Sequence, residues 1–182
     1  MKAPGYQPKL DLNDWQTINK QEYEHIFSLI APELHSYIEE HAAMSQLMDQ
    51  VRLGYNEEIY QIALDEIETE LTQHFAYEEA YILPRLRKYF ATDEAGPIMK
   101  LLQEHQTIRK NFADAAFLFA QRKPEAAVQA LVQKMNLLAY LLKKHIEKED
   151  HYFFPMVSLI LNQAEKEEIA AEVKAAYELR GK

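Results

Sequence analysis

Residues that break helices are scarce in this chain, and they fall at a few places. There are four glycines and seven prolines among 182 residues, and runs of β-branched residues are few. Strands favour β-branched residues and tight hairpins favour glycine, so the long segments between the breakers predict α-helices instead. Pro32 is expected to kink or break the first helix near its start. The predicted helices span about 21–52, 57–89, 97–123, 124–162 and 164–179.

Apolar side chains in these segments follow helical spacing. One face of the second helix carries Ile59, Ile62, Ala63, Ile67 and Leu71, and the fourth helix repeats the pattern. Four long helices with short connections predict an all-α fold, an antiparallel up-down four-helix bundle with an N-terminal arm and an extra C-terminal helix. The predicted division is an arm at 1–20, the bundle at 21–162 and the C-terminal helix at 163–182.

Composition excludes several classes of function. A net charge of −9 argues against nucleic acids and anionic membranes as partners, because phosphate contacts require Lys or Arg. The chain has no cysteine, which excludes disulfides, thiol catalysis and iron–sulfur ligation. No apolar run approaches the ~18 residues of a membrane span, and the N-terminus lacks the apolar segment of a signal peptide. We expect a cytoplasmic protein, with a homodimer as one possible assembly.

Two segments align without gaps and share a motif of histidine, glutamate, tyrosine and proline. Residues 74–84 read HFAYEEAYILP, and residues 145–155 read HIEKEDHYFFP. In both, a glutamate follows the histidine by four positions, and an acid follows the glutamate. A weaker pair precedes them, IEEH at 38–41 and LQEH at 102–105. The chain therefore reads as two helical hairpins of one design, each with a lone His on its first helix and His-x-x-x-Glu on its second.

This spacing favours a metal site. Residues four apart lie on one helix face, ~6 Å apart along the axis, so such a His and Glu can reach the same ion. Four imidazoles and two carboxylates suit two transition-metal ions, with both glutamates bridging and room for an oxo or hydroxo bridge and an exogenous molecule. Iron is expected, with manganese or zinc as alternatives. The candidate ligands are His41, His74, Glu78, His105, His145 and Glu149.

Two less specific interpretations of these residues are a surface pair and a ferritin-like site. One His-x-x-x-Glu alone is usually a hydrogen-bonded surface pair, but its repetition at the same offsets from tyrosine and proline is much stronger. Burying so many ionisable groups without a cation would also be costly. A ferritin-like carboxylate site needs Glu-x-x-His on two helices, and that motif occurs here once, from Glu22 to His25.

Some positions admit two interpretations. His35 is the alternative to His41 on helix one. Six residues separate them, so they cannot share a face, and His41 is preferred because its context matches that in the second hairpin. Tyr81 and Tyr152, three residues after the two glutamates, would either hydrogen-bond to a carboxylate or fill the core. Arg109 would form a salt bridge or attract an anion.

The doubled motif resembles the hemerythrin-like (HHE cation-binding) family over residues 21–161. The resemblance implies a four-helix bundle with a non-haem di-iron centre, whose ligands fall on the six residues named above. Oxygen-carrying members have a second histidine four residues from the one on helix three, whereas Leu101 and Arg109 flank His105 at that spacing. The pattern is closer to the symmetric four-His, two-Glu members. These include iron-centre repair proteins responding to nitric oxide, which carry an N-terminal cysteine region that this chain lacks.

The resemblance leads to three functional hypotheses. In the first, two irons with an open coordination position bind or reduce a small ligand (O2, NO or peroxide) in sensing or stress defence. In the second, the protein stores or delivers iron without turnover. In the third, the metal is a structural element of an interaction module. The residues leave open whether the protein is an enzyme, and no separate catalytic residue is assigned.

Overall fold

A computed structural model of the protein describes residues 20–90, 96–122 and 125–180, and within these ranges the chain is helical and forms no strand. The predicted arm (all but Lys20), the expected break before helix three and the start of helix four at Pro124 lie outside the described residues. The helices are α1 (Lys20–Leu29), α2 (His35–Val51), α3 (Glu57–Thr72), α4 (His74–Tyr77), α5 (Leu83–Arg87), α6 (Gly96–Ala120), α7 (Glu125–Lys148), α8 (Phe154–Ile160) and α9 (Gln163–Arg180).

Four rods form the bundle. The first is α2, the second runs from α3 to α5, the third is α6, and the fourth runs from α7 to α8. Each rod contacts the next, and the fourth contacts the first. Neighbouring rods are antiparallel: Glu57 at the start of the second rod pairs with Arg122, whereas Glu79 further along pairs with Arg109. The same opposite order relates the other neighbours. The predicted four-helix bundle is confirmed.

Local chemistry explains where the helices begin and end. α1 ends before a 3-10 turn at Pro32–Leu34, so the break predicted at this proline is confirmed. Between α2 and α3, Gly54 has φ +130°, a backbone conformation that residues with a side chain rarely adopt. The side chain of Asn56 then accepts a hydrogen bond from the backbone N–H of Ile59 at 3.1 Å and caps α3.

The second and fourth rods each contain a π turn that ends two residues before a proline. In the second rod the turn is Glu78–Ile82, and the N–H of Leu83 bonds to the carbonyl of Glu78. Pro84 cannot donate a hydrogen bond and would clash with the carbonyl four residues back, so a wider turn lets the helix continue. The same arrangement recurs at Glu149–Phe153 before Pro155. The bends expected at these prolines therefore take the form of π turns.

Two apolar clusters fill the bundle, one on each side of a polar layer. Buried residues of the first cluster include Ile38, Leu86 and Ile98, and those of the second include Met48, Ile67 and Leu138. α9 packs against the first cluster through Ile169 and Val173. None of the helices in the described residues combines the length and apolar character that a membrane span requires.

Candidate metal centre

Six ionisable side chains lie in the layer between the two apolar clusters. α2 and α6 each contribute one histidine, and α4 and α7 contribute the histidines of the two His-x-x-x-Glu pairs. The glutamate of each pair is the first residue of a π turn. None of the six is more than 2% exposed. They are the six candidates from the sequence: His41, His74, Glu78, His105, His145 and Glu149.

The ligand atoms of these side chains form two groups, each within 4.8 Å. Both groups contain Glu78 and Glu149, and each adds two histidines: His41 with His74, and His105 with His145. One oxygen of Glu78 lies 3.2 Å from Nε2 of His74, and its other oxygen lies 3.2 Å from Nε2 of His105. Glu149 spans the groups in the same way, at 3.1 Å and 3.0 Å. Two adjacent donor sets therefore share two carboxylates.

The outer nitrogen of each histidine, Nδ1, donates a hydrogen bond to a carboxylate on a neighbouring rod. The four pairs are His41–Asp150 (2.5 Å), His74–Glu40 (2.8 Å), His105–Glu79 (2.7 Å) and His145–Glu104 (3.1 Å). Each acid is adjacent in sequence to one of the six central residues. The pairs close a circle around the four rods, which we call the histidine–acid ring.

The ring fixes the direction in which each imidazole presents its lone pair. When Nδ1 donates to an acid, the neutral ring leaves Nε2 unprotonated and directed inward. Nε2 of His41 and Nε2 of His74 lie 3.0 Å apart, and glutamate oxygens face them. Lone pairs and anions at such distances require positive charge between them, supplied either by protons or by metal ions.

The electrostatics of the metal-free centre agree with this requirement. Burial alone would lower the pKa of His41, but the charge of Asp150 and its hydrogen bond outweigh burial and raise the pKa to about 10. Burial would also lower the pKa of His105, but the surrounding glutamates raise it to about 10. The pKa values of His74 and His145 are raised too, against the effect of burial. The carboxylates therefore favour positive charge on the histidines of the metal-free centre.

Several central atoms lack hydrogen-bond partners among the described residues. They are both carboxylate oxygens of Glu78 and of Glu149, with Nε2 of His105 and of His145. Buried polar atoms without partners are costly, and coordination to a cation would satisfy all of them. A mixed imidazole and carboxylate set suits iron, manganese or zinc. The residues present therefore fit a pair of such ions.

The other candidate histidine of the first helix, His35, has a different environment. Its Nε2 donates to the carbonyl of Ile30 at 2.9 Å, and its ring centre lies 3.7 Å from that of Phe27. It therefore belongs to the junction between α1 and α2 and is not in either donor group.

The structure also shows the surroundings of Tyr81, Tyr152 and Arg109, for which the sequence allowed two interpretations. Tyr81 stacks on Tyr77 with ring centres 5.7 Å apart, and Tyr152 is 74% exposed. The core-filling interpretation fits Tyr81, and neither interpretation fits Tyr152. Both tyrosines lie within π turns, where residues follow a different angular spacing from that of the α-helix assumed in the prediction. Arg109 donates to Glu79 at 2.8 Å, so it forms a salt bridge with a member of the histidine–acid ring.

Four residues of the ring received no role from the sequence: Glu40, Glu79, Glu104 and Asp150. The signal was present, since each acid adjoins a candidate ligand in the repeat. A metal-binding histidine usually donates its other nitrogen to a carboxylate or carbonyl, which gives such acids an expected role.

Comparison with known families identifies the domain. The family described as Hemerythrin HHE cation binding domain matches residues 31–157. The chain belongs to the hemerythrin family. All six central residues and the whole histidine–acid ring lie within the matched part of this hemerythrin domain, whereas α9 lies beyond it. Hemerythrin HHE domains bind cations, and the buried histidine–glutamate cluster fits that role. Comparison with curated protein sequences gave no match.

Proposed function

We propose that this hemerythrin-family protein holds two iron ions in its central layer and that an open coordination position there binds or reduces a small ligand, O2, nitric oxide or peroxide. The observation that carries the proposal is the sharing of Glu78 and Glu149 by two donor groups. Each group offers two imidazole nitrogens and two carboxylate oxygens, which leaves coordination positions for a bridge and an exogenous molecule.

The protein residues have distinct tasks in this proposal. The histidines bind through Nε2, and the acids of the ring hold each imidazole in the required tautomer and orientation. The two glutamates keep both ions close together. The apolar clusters on either side limit access of water, which strengthens electrostatic interactions in the layer. When bound, the iron pair supplies Lewis acidity and one-electron changes at each metal.

A cavity of ≈ 490 Å³ beside Glu149 is an argument for a small uncharged ligand. It lies between α6 and the fourth rod, and part of its wall is formed by Leu101, Phe153 and Met156. The apolar part of this wall, next to a carboxylate of the centre, suits O2 or nitric oxide, which carry no charge to be desolvated. We expect such ligands to approach from this side.

The first experiment is a metal analysis of protein purified without chelators, followed by absorption spectra. We expect two irons per chain and an absorption spectrum that changes on addition of nitric oxide, O2 or peroxide. Reversible iron uptake without a spectral response would favour storage or delivery. A colourless zinc form whose removal unfolds the chain would favour a structural metal.

Two variants test the bridging role. Glu149→Ala should abolish the paired centre, because one carboxylate serves both donor groups. Glu147→Ala is the matched control on the same rod, since Glu147 points outward and accepts a hydrogen bond from Lys144 at 2.9 Å. A full complement of two ions in Glu149→Ala would contradict the proposed bridge.

A further inference from the structure

A second cavity, of ≈ 410 Å³, reaches the centre from the side of α2, α3 and α9. It ends at His74, one of the proposed iron ligands. The polar residues along it are Glu40, Glu66, Thr69, Glu70, Gln73 and Tyr177, and no lysine or arginine is among its described lining residues. A passage lined by three carboxylates and by no lysine or arginine attracts cations.

Glu70 is the unusual member of this lining. It is only 7% exposed. The nearest cationic atom is Nδ1 of His74, 3.6 Å from its carboxylate, but that nitrogen already donates to Glu40 at 2.8 Å. At 3.6 Å the contact between His74 and Glu70 is an ion pair and is too long for a hydrogen bond. A nearly buried carboxylate whose nearest cationic partner is this distant would be stabilised by a cation in the cavity.

The three groups at the inner end of this cavity could hold such a cation. Carboxylate oxygens of Glu40 and Glu70 and Nδ1 of His74 lie within 4.8 Å of one another. An ion bound at this position would take the place of the proton on Nδ1 of His74, which would be released to water. It would also compete with the hydrogen bond from His74 to Glu40, which a loaded centre needs to orient the imidazole. Occupancy of this outer position is therefore compatible with transit and not with permanent residence.

The charge of the lining distinguishes this cavity from two other cavities beside the centre. The cavity beside Glu149 is lined by Lys100 and Lys148, and a third cavity, of ≈ 300 Å³ beside His145, is lined by Lys144 and Lys148. Glu104 also lines both of these cavities and its carboxylate pairs with Lys148, so each of them carries charges of both signs. The described lining of the acidic cavity has carboxylates and no lysine or arginine.

We propose that Glu70 and Glu40 form a transient outer binding site for a divalent metal ion, through which ions pass from the acidic cavity to the central layer. The proposal rests on the proposed function, because it requires a centre that takes up ions. It assigns Glu70 a role in the rate of loading and no role in the final complement of metal.

The test measures Co²⁺ uptake by metal-free protein, followed by the absorption of Co²⁺ bound to nitrogen and oxygen ligands in a stopped-flow instrument. Glu70→Gln should slow loading by about ten-fold, in the range expected for loss of electrostatic attraction, and should reach the same stoichiometry. Glu68→Gln is the matched control, because Glu68 is exposed on the same helix. It should load at the wild-type rate. Equal rates for Glu70→Gln and wild type would overturn the proposal, and so would a reduced final stoichiometry in a folded Glu70→Gln variant.

A second pair of variants tests entry of metal ions through the acidic cavity without altering a buried residue. Ala43 is exposed and lines the acidic cavity. Ala43→Lys should slow Co²⁺ loading relative to Ala43→Gln, which adds a similar volume without charge. Equal loading rates for these two variants would overturn the proposal even if Glu70→Gln did not fold. Failure of the wild-type protein to bind any Co²⁺ or iron would instead contradict the proposed function, so the two failures are distinguishable.

Discussion

Nδ1 of His41 lies 2.5 Å from Oδ1 of Asp150, although 109 residues separate them in the chain. The contact joins the first rod to the fourth. Asp150 is only 3% exposed, so water screens its charge weakly. The acid therefore holds His41 in the tautomer that directs Nε2 into the layer, and the free energy of ion binding should depend on it.

Replacing this acid by its amide should weaken metal binding. Asp150→Asn keeps the shape of the side chain but removes the charge, and loss of such an outer partner typically costs about 10- to 100-fold in affinity. Competition with a chromophoric chelator measures the change. Asp65→Asn is the matched control, because Asp65 is exposed on α3 and its side chain accepts a surface hydrogen bond from Gln61. Unchanged affinity in Asp150→Asn would show that the ring does not support the centre.

The choice between the two histidines of the first helix can be decided directly. His41→Ala should lower metal content to one ion per chain or fewer, because it removes a nitrogen from one donor group. His35→Ala should retain full metal content, because His35 contacts Ile30 and Phe27 instead. Elemental analysis of both variants gives the answer, and the opposite pattern would move the ligand to His35.

A tyrosine hydroxyl of the last helix binds to an acid of the histidine–acid ring. Tyr177 on α9 donates to Glu40 at 2.6 Å, and Glu40 accepts from His74. Tyr177→Phe should therefore weaken metal binding by a few-fold and increase hydrogen exchange in α9. Tyr89→Phe is the control, because the Tyr89 hydroxyl also binds α9, at Glu165, but away from the ring. It should increase exchange in α9 with no change in metal affinity. Equal metal affinities in the two variants would disprove the connection.

The metal-free protein should lose stability as the pH rises above neutrality. The pKa values of His41 and His105 are raised from the ordinary 6.5 to about 10 in the folded chain. A raised pKa contributes stability that is fully present below the unfolded value and disappears as the pH rises through the folded value. The thermal unfolding temperature of the metal-free protein should therefore decrease as the pH is raised from 6.5 to 10. The metal-loaded protein should not show this fall, since ions replace the protons. A constant midpoint for the metal-free protein would contradict the expectation.

The sequence predicted the bundle and the candidate donors because both depend on local patterns. The positions of proline and glycine limit the helices, and the break before α2 follows from the chemistry of Pro32 alone. The spacing of His74 and Glu78 fixes their common face, and its repetition in the fourth rod indicates a shared centre.

The parts that were missed depend on contacts between rods. Asp150 adjoins Glu149 in the sequence, but its histidine belongs to a rod more than a hundred residues away. Which acid reaches which histidine is set by the register of neighbouring helices, and no local pattern contains that register. The π turns had a local cause in Pro84 and Pro155, yet the sequence allowed a simple bend there as well, and the orientation of Tyr152 depended on the difference.

The histidine–acid ring has an internal two-fold repeat: its second half has the same arrangement of pairs as its first. The pair Glu40–His74 lies within the first hairpin and corresponds to Glu104–His145 in the second, while the other two pairs link the hairpins. Two copies of one hairpin, related by a two-fold axis through the layer, would complete the same set of bonds. The chain has the internal symmetry of a homodimer joined into one polypeptide, and neither half contains every partner that its own histidines need.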